Sequence, residues 1–131
     1  MKVPEGLHYS SEHEWVRVDG DTAVVGITDY AQDALGDLVY VQLPEVGATV
    51  KAADTCCEIE STKSVSEIYA PVSGTVVEVN GALIDTPEQV NTDPYGEGWI
   101  FKLTVSDPAE IGALLDASTY SALTEEASDQ P

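Results

Sequence analysis

The residues best suited to chemistry fall in one stretch, Glu58-Ile59-Glu60-Ser61-Thr62-Lys63-Ser64-Val65-Ser66-Glu67-Ile68-Tyr69-Ala70-Pro71. It sets a lone lysine between Glu60 and Glu67, flanked by small hydroxyl residues, in a chain with only 5 Lys and Arg against 24 Asp and Glu. Local sequence leaves two readings of Lys63 open. A lysine at a hairpin tip can simply be solvated, since Ser and Thr favour turns by bonding nearby backbone groups. A lysine on a tight turn can instead be presented to a modifying enzyme, and acylation would remove its charge and leave a long neutral arm. Cys57 and Ile59 on one side, and Val65, Ile68 and Tyr69 on the other, have strand character, which makes Ser61 to Ser64 the connection between two strands. Such a hairpin holds the ε-amine at a fixed place in water, within reach of an enzyme without unfolding of the domain.

Other candidate chemistry is weaker. His13-Glu14 has half of a helical zinc-protease pattern, but Arg17 stands where the second histidine belongs, the only other histidine is His8, and the segment reads as strand. No metal site is expected. Cys56 and Cys57 are adjacent, a poor framework for a structural disulfide and without the spacing of a zinc site. Strand alternation sends the two thiols to opposite faces, one to the core and one to the surface, with no base marked out to activate either. Acids are too abundant for any carboxylate pair to stand out, and no glycine stretch has phosphate-loop spacing. No enzyme motif emerges.

The elements that must position Lys63 read mostly as short strands. Trp15, Val16 and Val18, the turn Asp19-Gly20-Asp21, and Thr22-Ala23-Val24-Val25-Gly26-Ile27 form a hairpin. Thr28 caps a short helix through Leu35, which Gly36 ends in a left-handed conformation. Leu38 to Leu43 is a strand closed by Pro44, and the chain extends again at Ala48-Thr49-Val50. Pro44-Glu45-Val46-Gly47-Ala48-Thr49-Val50 is loosely matched by Pro71-Val72-Ser73-Gly74-Thr75-Val76, which suggests two similar β units with the lysine turn between them. Thr86-Pro87-Glu88-Gln89 predicts a helix start, Asn91 to Gly98 a loop, and Trp99 to Val105 the last strand. Asp107-Pro108-Ala109-Glu110 repeats the capping pattern ahead of Ile111, Leu114 and Leu115, and further helical turns run from Ser118 to Leu123. The expected organisation is one domain over 1–131, with an ordered core over 7–123 and an acidic, frayed tail over 124–131. Its class is mostly β, a barrel or a pair of packed sheets.

At 131 residues, with 43% hydrophobic and 22% charged residues, the chain is long enough for one real core and is not compositionally disordered. Its formal net charge of −19 repels phosphate backbones and anionic membrane surfaces and steers basic partners toward it, so neither nucleic acid nor membrane is an expected partner. No apolar run has the length of a membrane span, and Met1-Lys2-Val3-Pro4-Glu5-Gly6 lacks the apolar core of a signal peptide. A soluble, intracellular protein with reduced thiols is expected.

Glu60-Ser61-Thr62-Lys63-Ser64 followed by Ala70-Pro71-Val72-Ser73-Gly74 resembles the lipoyl-lysine motif of the H-protein family of the glycine cleavage system. The likeness extends to His13-Glu14-Trp15, Gly26-Ile27-Thr28-Asp29-Tyr30-Ala31-Gln32, Leu35-Gly36-Asp37, Leu43-Pro44, Glu78-Val79-Asn80 and Asn91 through Trp99, in order and at compatible spacing. Biotinyl domains share the hairpin lysine but usually flank it with methionines, and here the flanks are Thr62 and Ser64. The resemblance implies a flattened antiparallel barrel or sandwich of the lipoyl/biotinyl-domain type, with short peripheral and C-terminal helices. It implies lipoic acid amide-linked to Lys63, in a cytoplasmic, monomeric and non-catalytic carrier. The arm would take an aminomethyl group from glycine decarboxylase to aminomethyltransferase and be reoxidised by dihydrolipoamide dehydrogenase. A lipoate ligase or lipoyl-transfer enzyme would install it. By the same resemblance Glu14 and Glu67 are candidates for sheltering the cationic cargo. Glu12 stands where the family often has a small residue, so it either adds charge at the cleft mouth or points into solvent. An alternative role, also implied by relatives, is donation of lipoyl groups to other enzymes.

Overall fold

The computed structural model describes residues 2–128, with side chains through Thr124. The chain opens with β1 (His8–Tyr9), β2 (Glu14–Asp19) and β3 (Thr22–Ile27). Asp19 pairs with Thr22, which leaves Gly20 and Asp21 as the hairpin turn, as the sequence predicts. After α1 (Asp29–Leu35) come β4 (Leu38–Gln42), β5 (Thr49–Val50), β6 (Thr55–Ser61), β7 (Val65–Tyr69) and β8 (Gly74–Val79). Two short helices, α2 (Ala82–Asp85) and α3 (Gln89–Thr92), precede β9 (Phe101–Val105), and α4 (Ala109–Gly112) and α5 (Ala117–Ser128) follow it.

The strands form two sheets, one ordered β1-β2-β3-β9-β8-β5 and one ordered β4-β6-β7, with every neighbouring pair antiparallel. This is the mostly β, antiparallel architecture expected. The loosely repeated stretches around Gly47 and Gly74 lie side by side, since Thr49 pairs with Thr75 and Val50 with Gly74. The facing sheets close on a core that includes Val16, Val25, Val41, Ile59, Ile68 and Leu103, all essentially without exposure. Their burial is the main stabilising term, at roughly 25 cal/mol per Å² of apolar surface.

Alternation along β2 sends Trp15 to the other face of its sheet, where it packs with Tyr9, Val24 and Tyr120 of α5. The first sheet is therefore buried on both faces at this end. Trp15 lies against Gly26, directly opposite on β3. A Cβ at Gly26 would meet the indole at 2.7 Å, so only glycine admits the ring. Among the described residues no helix is long and apolar enough to cross a membrane.

Several local expectations are corrected. Thr86 does not cap α3: its hydroxyl donates back to the Ala82 carbonyl and closes α2, a four-residue helix that the sequence did not announce. The last strand begins at Phe101, two residues later than predicted. Cys56 and Cys57 do not alternate cleanly, because the register between β6 and β7 slips between Thr55 and Cys57. This bulge leaves Cys56 half-buried against the core, with its Sγ donating to the Ile68 carbonyl at 3.2 Å. Cys57 is buried beside it, and its thiol pKa is pushed up by the hydrogen bond to Cys56 and by burial. Helix α5 continues through Ser128, past the predicted end at Leu123, and of the tail expected over 124–131, residues 129–131 lie outside those described.

Candidate functional site

Lys63 stands at the tip of the β6–β7 hairpin, and Ser61 builds that tip. The Ser61 hydroxyl accepts from the backbone N–H of Lys63 and of Ser64, both at 3.1 Å, while its own backbone N–H donates to the Ser64 carbonyl at 2.8 Å. A hydroxyl saturating a tight turn in this way is the physical reason for serine there. The tip is also tethered sideways, because Thr62 N–H donates to the Asp37 carbonyl at 3.0 Å. Asn91 fixes that neighbouring segment, donating to the Gly36 carbonyl at 2.9 Å and accepting from Leu38 N–H at 2.9 Å.

Gly36 has φ 82° and ψ −162°, so φ is positive as expected but the pair lies in an extended, glycine-only region rather than the left-handed helical one. The Lys63 stem runs across it, and a Cβ at Gly36 would sit 3.3 Å from Lys63 Cε. Lys63 is exposed, and among the described residues the one salt bridge joins Lys102 to Glu78. Its backbone is therefore held at a defined place, and among the described residues its amine has no salt-bridge partner.

The second part of the site lies at the other end of β7. Glu14 falls on the same face of β2 as core residue Val16, which points it between the sheets, and it is only 2% exposed. Its Oε1 accepts from the Ser10 hydroxyl at 2.6 Å, and that same hydroxyl accepts from Glu14 N–H at 3.1 Å. The backbone N–H of Tyr69 also bonds the carboxyl. Burial pushes the Glu14 pKa up to about 7, with exposed Glu12 adding to the rise and the Ser10 and Tyr69 bonds opposing it. Glu67 is exposed on the outer face of β7, opposite Glu58, and its Oε2 accepts from Thr55 at 3.3 Å and Tyr69 at 3.4 Å. The Tyr69 phenol pKa is raised by Glu67 first, and Glu12 and Glu14 add smaller contributions. Tyr69 thus stands among all three predicted carboxylates. Of the three, Glu14 alone is buried.

Tyr69 and Ser10 were not singled out from the sequence. A signal for Tyr69 existed, since it lies two residues after Glu67 on one strand and so shares its face. For Ser10 the only trace is a hydroxyl four residues before a carboxylate.

The loop between β1 and β2 is unusual. Ser11, Glu12 and His13 form the connection, closed by Ser10 N–H to the Glu14 carbonyl at 2.9 Å and His13 N–H to the Ser10 carbonyl at 3.1 Å. His13 takes a positive φ of 72°, which costs a non-glycine residue on the order of 1 kcal/mol. Its ring Nδ1 lies 2.8 Å from Tyr120 Oη.

Glu14 makes a pH-dependent contribution with a definite sign. A carboxyl whose pKa is higher in the folded chain stabilises the fold while protonated; this is complete below its ordinary value of 4.5 and lost as pH rises through about 7. That interval corresponds to roughly 3 kcal/mol. Urea unfolding across this range should show wild type losing about that much stability relative to Glu14→Gln. A constant difference between the two proteins would show that Glu14 titrates like an exposed carboxyl.

An arrangement with an exposed, unpaired amine at a rigid tip and a buried carboxylate one strand-length away suits a tethered arm that folds back to hold a cation. The family model described as "Glycine cleavage H-protein" matches residues 7–127. The chain is 60% identical over 125 residues to the glycine cleavage system H protein of Cronobacter sakazakii, covering 95% of this chain and 97% of that protein. It is 57% identical over 124 residues to that of Beutenbergia cavernae, covering 95% and 98%. A crystal structure of a glycine cleavage system H protein from Mycobacterium marinum superposes with a TM-score of 0.87 at 46% identity, covering 94% of this chain and 99% of that one. Fold, family model and near-full-length relatives agree that this chain belongs to the glycine cleavage H-protein family, the lipoyl carriers of the glycine cleavage system.

Proposed function

We propose that Lys63 carries lipoic acid in amide linkage and that the chain is a cytoplasmic, non-catalytic shuttle. It would take an aminomethyl group from glycine decarboxylase to aminomethyltransferase and return to dihydrolipoamide dehydrogenase for reoxidation. When attached, lipoic acid supplies a dithiolane that accepts the aminomethyl group together with two electrons. The remaining work belongs to this chain's residues.

The observation that carries the proposal is the placement of Lys63 and Glu14 at opposite ends of β7. From Val65 to Tyr69 the strand rises about 13 Å, and an extended lysyl-lipoyl arm of about eleven bonds spans roughly 14 Å. An arm laid back along the hairpin would therefore extend most of the way toward the carboxyl cluster. Gly36 keeps open the space through which the lysine stem runs, so the residues present fit the group.

Glu14 would hold the cargo's ammonium in a place partly closed to water. A buried carboxylate is costly without a counter-charge, and a buried cation equally so, and each offsets the other's cost. Tyr69 and Glu67, nearer the surface, would line the path toward that carboxylate. Tethering raises the effective concentration of the arm at every partner active site to which the domain docks, and the net charge of −19 favours partners with basic docking patches. A mixture of the decarboxylase, the aminomethyltransferase and the dehydrogenase should oxidise glycine only when this chain is added in lipoylated form. Undiminished turnover without it would contradict the proposal.

A further inference from the structure

The loop carrying His13 is held by contacts that a simple hairpin does not need. In a three-residue connection, the third position is where glycine or asparagine most easily takes positive φ. Here it is histidine at φ 72°. A residue stays in such a region when its surroundings over-determine it. Those surroundings come from outside the loop. His13 Nδ1 is 2.8 Å from Tyr120 Oη on α5, its ring centroid is 4.7 Å from that of Tyr30, and its carbonyl accepts from Thr28 N–H at 3.0 Å. Tyr120 is itself anchored, fully buried, with its hydroxyl 2.7 Å from Thr28 Oγ1 and its ring stacked on Tyr9 at 4.8 Å. The residue after His13 is Glu14, the first of β2, so this anchorage fixes the strand end from which alternation directs Glu14 inward between the sheets.

We infer that His13 and Tyr120 are positioning residues for Glu14, with helix α5 acting through the Tyr120 hydroxyl and the His13 ring to hold the loop, and with it the strand end at which the carboxyl faces inward. The consequence for a cationic cargo rests on the proposed carrier role, but the coupling from α5 to Glu14 is a property of the chain itself. Ser10 also bonds Glu14, yet it adjoins the same loop, whereas Tyr120 lies 107 residues from His13 along the chain.

The test is a carbon-13 NMR titration of the Glu14 carboxyl in the unlipoylated chain, with the resonance assigned by its absence in Glu14→Gln. His13→Gly accepts the positive φ without strain but lacks the ring. Tyr120→Phe keeps the stack on Tyr9 but lacks the hydroxyl. Each should lower the Glu14 midpoint by about one pH unit, because a carboxyl no longer held inward regains water. Unchanged amide shifts in β3, β8 and β9 would show that the fold persists. In the lipoylated and loaded chain, the same substitutions should speed spontaneous loss of the aminomethyl group several-fold, and Glu14→Gln should do the same. A midpoint unchanged in both variants, with only the melting temperature lowered, would reduce the pair to a fastening for α5 and overturn the inference. A midpoint that moves in a chain that accepts no lipoyl group would leave the positioning role standing and remove the carrier role instead.

Discussion

Lys63→Arg is expected to bring glycine-dependent CO₂ exchange, in a mixture with glycine decarboxylase, down to the level seen with no carrier added. The substitution keeps the positive charge and most of the stem but removes the only amine at the hairpin tip, and a guanidinium stays protonated and forms no comparable amide under these conditions. Loss of folding is not the expected cause of this result. Lys63 is exposed and outside the core, and the tip is built by Ser61 and by the Thr62 bond to Asp37, none of which uses the lysine side chain. Surface changes of this kind usually stay within about 0.5 kcal/mol, so wild type and variant should melt together while exchange differs completely. Residual exchange well above background would mean that transfer does not pass through Lys63.

Trp15→Ala should have the largest effect on stability. The indole is fully buried, packs with Tyr9, Val24 and Tyr120, and donates from Nε1 to the Pro94 carbonyl at 2.9 Å. Removing a buried tryptophan typically costs about 3–5 kcal/mol, against a total of about 5–15 for a domain. At 131 residues that corresponds to a fall in melting temperature of roughly 10–25 °C. The local geometry makes relaxation difficult, because Gly26 has no side chain to move into the space and the Pro94 carbonyl loses its donor. Trp15→Phe should fall between the two proteins, since it retains part of the ring volume and loses the hydrogen bond. Differential scanning calorimetry of the three checks the order. Equal melting of Trp15→Ala and wild type would show that this second cluster carries little of the stability.

Much of this was legible in local sequence. The hairpin from Glu14 to Ile27 announced itself through β-branched residues on either side of Asp19-Gly20-Asp21, and Thr28 as the cap of α1 through its position before a short apolar pattern, where its hydroxyl accepts from Ala31 N–H at 3.2 Å. The lysine turn was equally plain, because hydroxyl residues between two strand-like runs leave few alternatives. Other features depend on partners distant in the chain. Nothing near Thr86 says that its hydroxyl will turn back to Ala82 rather than forward, and a four-residue helix carries too little periodicity to be seen. The bulge at Cys56 is set by the register with β7, so alternation alone misassigned that thiol. In the site, Glu14 and Glu67 came from family resemblance, and their difference in burial became visible only when both sheets were in place. Tyr69 and Ser10 left only faint local traces, and Tyr120 joins the site through contacts that no single segment specifies.

The carrier role proposed for this chain depends on Lys63 being the attachment point of a lipoyl arm. Intact-mass measurement of the chain, produced with an active lipoylation pathway and lipoic acid, tests it most directly, with peptide mapping to place any adduct. The expected result is a mass gain of one lipoyl group, located on the peptide containing Lys63 and absent from Lys63→Arg. An unmodified wild-type chain, or an adduct that persists in Lys63→Arg, would contradict it.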